Sequence, residues 1–101
     1  MKELTGAQRK YLRGLAHDLN PSAYVGQKGL TAALIQEVNQ GLDASELIKV
    51  RFIDYKEKPV KSSLAQEIAS STGAHLAGLI GHVAIYYRQH SDPEKRGIQL
   101  P

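Results

Sequence analysis

Gly26-Gln27-Lys28-Gly29 is the stretch of this chain whose residue types and spacing best suit the holding of an anion. Two glycines three positions apart carry no Cβ and reach positive φ freely, so the loop between them can bring its backbone close to a phosphate. A short apolar run, Tyr24-Val25, leads in, and Leu30-Thr31 leads out to a helix. With Thr31 as the cap, that helix turns its free N–H groups and the positive end of its dipole toward the same space. Lys28 adds a mobile positive charge at the tip, and Gln27 an amide that donates or accepts. Small turns before helices use glycine constantly, so the spelling alone does not decide between an anion site and a structural turn.

Other chemistry finds less support. The loop lacks both the G-x-x-x-x-G-K-[ST] and the G-x-G-x-x-G form of nucleotide sites. Asp18, Asp43 and Asp54 fall near element ends, where capping and turn roles account for them, and no nucleophile stands at a useful spacing from a base. An enzyme is therefore not expected. His17, His75, His82 and His90 contain no pair at i, i+4, and the chain has no cysteine, so neither a metal site nor any cofactor is expected. No small-molecule substrate is implied.

The elements that must position the loop come from a chain of 101 residues, long enough for one domain with a modest core. Residues 1–101 are read as that domain, with 89–101 a partly irregular tail. Thirteen Lys and Arg against ten Asp and Glu give a net charge of +3, which favours a polyanionic partner only mildly. No apolar stretch approaches the length of a membrane span, and the N-terminus is amphipathic from the start. The expectation is a cytoplasmic, monomeric protein without a membrane partner.

The first helix spans Thr5 to about Asp18. Leu4, Tyr11, Leu12, Leu15, Ala16 and Leu19 recur at helical spacing, and Thr5 with Gln8 forms a capping box. Its polar faces carry Arg9, Lys10 and Arg13, with Lys2 near one end; Arg9 and Arg13 are four apart and share a face. Such a face suits either solvent or an acidic partner. Proline at 21 breaks the helix, and Ala23 to Val25 reads as a short strand. The second helix runs from Thr31 to Gln40 on an apolar stripe of Leu34, Ile35, Val38 and Leu42, with Gly41 as its left-handed stop. Glu46 to Ile53 alternates as a strand, burying Ile48, Val50 and Phe52 and setting Lys49 and Arg51 on the other face. The third helix covers Val60 to Ser71 and ends at Gly73. Ala74 to Arg88 is too long for one strand and reads as a hairpin turning at Gly81. The tail Ile98 to Pro101 is expected to add a short edge segment.

The order helix, strand, helix, strand, helix, strand, strand implies a compact two-layer α/β sandwich with a mixed sheet of four strands. Tyr86 or Tyr87, with Arg88, Lys49 and Arg51, would then offer an open sheet face for stacking bases, although alternation sends one of the two tyrosines into the core.

Taken together in order, Leu4-Thr5, Arg9-Lys10-Tyr11-Leu12-Arg13, Ala16-His17, Leu19-Asn20-Pro21, Val25 to Thr31, Glu46 to Val50, Ile80-Gly81 through Tyr87-Arg88 and the closing Leu100-Pro101 resemble the CRM domain, for chloroplast RNA splicing and ribosome maturation. The chain is similar to the stand-alone bacterial, YhbY-like members. The resemblance covers nearly the whole chain. It implies an RNA-binding domain related in fold to the C-terminal domain of translation initiation factor three. It further implies association with ribosomal RNA in precursors of the large ribosomal subunit. Carried over position by position, the family's G-x-x-G loop falls on Gly26, Gln27, Lys28 and Gly29, and its basic first helix on Arg9, Lys10 and Arg13. Gln27 stands where members often have another basic residue. Thr31, Lys49, Arg51, Arg88 and Lys2 complete the set of candidate contacts. The alternative is a protein-interaction module whose basic helix docks on an acidic protein.

Overall fold

The computed structural model describes residues 3–101. Helix α1 (Gly6–Ala16) starts where the capping box places it: Gln8 N donates to Thr5 Oγ1 at 3.1 Å and Thr5 N to Gln8 Oε1 at 3.0 Å. Strand β1 (Pro21–Val25) begins earlier than expected, at the proline itself. Proline has no N–H to donate, and β1 is an edge strand where none is required on the open side.

Helix α2 (Ala32–Ser45) runs past the expected stop at Gly41. Gly41 is an interior position, and a Cβ there would lie 3.2 Å from Ile48 Cγ2, so this glycine lets the helix pack closely on the sheet. The left-handed cap is Glu46, with φ +61°. Strand β2 (Leu47–Phe52) follows at once. Helix α3 (Lys58–Thr72) takes Pro59 into its first turn and ends, as expected, at left-handed Gly73. Strands β3 (His75–Ile80) and β4 (Val83–Tyr87) form the hairpin, with Gly81 at φ +58° in the first turn position that a tight hairpin reserves for glycine.

The sheet order is β1-β2-β4-β3, parallel between β1 and β2 and antiparallel elsewhere. The fold is thus the compact α/β arrangement with a mixed four-stranded sheet that the element order implies. Its layering is finer than two. Alternation sends Val25, Val50, Phe52 and Tyr86 to a main core under α2 and α3, and sends Leu47, Ala77, Ile85 and Tyr87 to a second core under α1 on the opposite face. Of the stripe on α1 only Leu12 and Ala16 are buried, while Tyr11, Leu15 and Leu19 stay about 40% exposed.

Residues 89–101 add no strand. Apart from one 3-10 turn at Pro93–Lys95, they form an irregular segment that lays Ile98 and Leu100 on the second core. Glu46 holds this tail in place. Its buried carboxylate accepts His90 N at 2.8 Å, Gly97 N at 2.7 Å and Ile98 N at 3.3 Å. Gln8 Nε2 reaches from α1 to Pro101 O at 3.2 Å.

Candidate nucleic-acid interface

Gly29 N donates to Gly26 O at 3.0 Å and closes the glycine loop into a turn. Only Gly29 uses the left-handed region, with φ +67°; Gly26 has open space around its missing Cβ. Tyr55, itself at φ +57°, locks the turn from the β2–α3 connection by donating its hydroxyl to Gln27 O at 2.6 Å. Thr31 caps α2 as expected, accepting Leu34 N at 3.0 Å. Ile35 N bonds Thr31 O, so the first-turn N–H groups of Ala32 and Ala33 are left for acceptors outside the helix. Gln27 and Lys28 project into solvent. Beside them lies an open depression of about 290 Å³, with Tyr24, Gly26, Lys28, Gly29 and Thr31 in its wall and one carboxylate, Glu37. Backbone donors, a helix N-terminus and a free ammonium converge here, which is the chemistry of phosphate binding.

Positive charge gathers at the same end of the sheet. Parallel β1 and β2 both deliver their C-terminal ends there, and antiparallel β4 brings the hairpin turn alongside. Lys61 of α3 bonds Gly81 O and lies 3.2 Å from His82 Nδ1. Partial desolvation lowers the pKa of His82, and the charges of Lys61, Lys56 and Arg51 lower it further. The sequence gives little warning of this cluster, because Lys56 sits in what reads as a polar connection and Lys61 on a helix whose apolar stripe draws attention elsewhere.

The basic face of the first helix is not part of that cluster. Arg9 and Lys10 are exposed on α1, with Arg9 donating to Leu4 O at 2.9 Å. Arg13 lies over β3, its Nη1 3.4 Å from Ala77 O and its Cδ where a Cβ on Gly78 would come within 2.7 Å. Because β1 and β3 are the two edges of the sheet, about 14 Å of strand spacing separates Arg13 from the strand that carries the loop.

Four other candidates have structural partners. Lys49 Nζ donates to His17 O and Leu19 O, both at 3.0 Å, and ties down the C-terminal end of α1. Arg88 is spent on Asn39 Oδ1 at 2.7 Å, Thr72 O at 2.6 Å and an ion pair with Asp43 at 2.9 Å. Tyr86 is buried with its hydroxyl on Ala65 O at 2.8 Å, and burial pushes its pKa well above the ordinary tyrosine value. Tyr87 is covered by α1 and the tail and stacks on His75. Neither tyrosine is open to a base, so of the two readings of this pair it is packing that the structure shows. Arg51 remains exposed, and Lys2 lies outside the described residues.

The pattern that defines the CRS1/YhbY (CRM) domain matches residues 4–88, which takes in the glycine loop, α1 and all four strands. The chain belongs to the CRM domain family. A relative from Haemophilus influenzae named "RNA-binding protein" is 36% identical, covering 100% of this chain and 98% of the relative. The "Probable RNA-binding protein YqeI" of Bacillus subtilis is 33% identical over 97% of this chain and 99% of its own length. The solution structure of the hypothetical protein SAV1595 from Staphylococcus aureus superposes with a TM-score of 0.81 at 32% identity, covering 97% of this chain and 99% of that one. The fold is thus shared with that structure over 97% of this chain, while the family pattern itself ends at residue 88, before the tail that Glu46 secures. Among the described residues no helix is long and apolar enough to cross a membrane.

Proposed function

We propose that this protein is a non-enzymatic RNA-binding protein of the cytoplasm. The Gly26–Gly29 turn grips the sugar-phosphate backbone, and residues 1–101 act as one RNA-binding unit. The observation that carries the reading is the turn itself. Its backbone is held open by Gly29 and Tyr55, and it stands at the capped N-terminus of α2 with Lys28 exposed and in no ion pair among the described residues. In KH domains a comparable loop clamps backbone nucleotides, there between two helices and here between a strand and a helix. Gln27 and Thr31 border the contact; Arg51 lies at the same end of the sheet. Arg9, Lys10 and Arg13 form a second set of phosphate contacts across the sheet, so the RNA must be long enough to reach both. Phosphate contacts of this kind set affinity and orientation, not sequence.

The RNA we propose is ribosomal RNA in precursors of the large subunit, bound by a monomer. Sedimentation through a gradient at gentle salt tests this. The protein should travel with large-subunit precursors, and its confinement to the top of the gradient would remove the ribosomal part. Binding itself is tested with a single-stranded ribosomal RNA fragment across a salt series. Lys28→Ala should weaken binding and make the slope of log affinity against log salt shallower by about 0.7, the value for one neutralised phosphate. An unchanged slope would move the binding site away from the loop.

A further inference from the structure

One row of residues runs across all four strands on the face that α1 only half covers. Tyr24 of β1 pairs with Arg51 of β2, Arg51 with Val83 of β4, and Val83 with Ile80 of β3. Their neighbours in sequence, Val25, Phe52, Ala84 and Leu79, pack into the main core, so the row itself points the other way. Tyr24 is 54% exposed and Ile80 57%. Arg51 is exposed and makes no ion pair among the described residues. At one end Tyr24 shares the wall of the depression beside the glycine loop. At the other, Ile80 is two residues on from Gly78, over which Arg13 lies.

We propose that this row is a shelf on which two or three unstacked bases of single-stranded RNA lie flat, bridging the loop to the basic side of α1. The proposal rests on the RNA-binding reading above and adds to it the part of the RNA that is bound besides phosphate. A tyrosine ring and a guanidinium plane both stack on bases, and Val83 and Ile80 extend the surface with apolar atoms that suit a base's flat face. Four-stranded sheets elsewhere seat two or three bases in this way. The occupant is polyanionic because the strip is bordered by cations, Lys28 at one end and Arg13 at the other, with Arg51 within it. A protein partner fits less well: one row of side chains about 14 Å long is far smaller than the roughly 800 Å² per partner of a stable protein interface.

The chain has no tryptophan, so Tyr24→Trp introduces a single indole reporter at an exposed edge-strand position. The probes are an eight-nucleotide uridine RNA and the same oligomer with its bases removed. The uridine RNA should quench the indole and the abasic oligomer should not, with both titrated at the same salt. In the otherwise unaltered protein Tyr24→Ala should lower affinity for the uridine RNA about tenfold with no change in salt slope, while Tyr24→Phe keeps it. Equal affinity of the unaltered protein for both oligomers, together with no effect of Tyr24→Ala, would overturn the shelf and leave the loop's hold on phosphate standing. No binding of either oligomer would overturn the RNA-binding reading and the shelf with it. A change in sedimentation of the free protein on Tyr24→Ala, with RNA affinity unchanged, would assign the row to a second copy of the chain and likewise overturn the proposal.

Discussion

Gly29 meets two demands at once, a φ of +67° and a Tyr55 ring 3.5 Å from where its Cβ would be. The ring contact is ordinary, so the backbone angle decides the outcome. Gly29→Ala should cost about 1–2 kcal/mol in urea unfolding, the usual penalty of a left-handed non-glycine residue, and should weaken RNA binding as the turn shifts. Gly26 has neither constraint. Gly26→Ala should leave stability within about 0.5 kcal/mol, so any fall in RNA affinity in that variant measures how closely phosphate approaches the backbone. The two glycines and the Thr31 cap are legible in the sequence because they act on residues a few positions away. Tyr55 is not, since its bond to Gln27 O spans 28 positions and nothing local marks a tyrosine with positive φ. The same holds for Arg88 and Lys49, whose structural partners lie on other elements. A surface arginine and a surface lysine look alike in sequence whether free or engaged.

Among the elements, the tail shows how one buried carboxylate can order a dozen residues. Burial by itself would raise the Glu46 pKa, but the N–H groups of His90, Gly97 and Ile98, with the charge of His90, outweigh it and hold the carboxyl below the ordinary glutamate value of 4.5. The folded value is therefore the lower of the two. The stabilisation is present above the unfolded pKa and is lost as pH falls through the folded one. Glu46→Gln keeps the shape but turns an N–H donor toward backbone donors, which should cost about 1–3 kcal/mol at pH 7. Urea unfolding checks the size of the effect, and the variant should show a flatter decline below pH 4.5 than the unaltered protein. Faster hydrogen exchange at Gly97 and Ile98, with the core strands unaffected at pH 7, would place the destabilisation in the tail. Periodicity finds the three α-helices and β2, because each buries a face with its own repeat, and proline and glycine punctuation finds β1 and the hairpin. It fails at the end of α2, where Gly41 serves packing against Ile48 instead of chain reversal, and in the tail, whose order comes from a residue more than 40 positions away.

For the molecule as a whole, the sheet separates two basic regions that the sequence presents as neighbours. Lys28 stands beyond the end of β1, whereas Arg13 lies over β3 at the far edge and Arg9 further toward the start of α1. No linear reading could show this, because the distance is created by the strand order β1-β2-β4-β3. Groups so far apart, with no shared partners, perturb binding independently. An RNA long enough to span both regions should therefore respond to Lys28→Glu and to Arg9→Glu with Arg13→Glu by fold-changes that multiply. The triple variant should shift the salt slope by about 2, three phosphates at about 0.7 each; Lys28 and Arg9 are exposed, and urea unfolding checks that the half-buried Arg13 is replaced without loss of the fold. A dinucleotide, with a single phosphodiester, is too short to cross the sheet and can occupy only one region at a time. Its affinity should fall with one set of changes and barely with the other, and the set that matters identifies the tighter region. Equal responses of the short and long RNAs to every variant would mean that the charges act as one diffuse field, and that the sheet between them does not divide the binding surface.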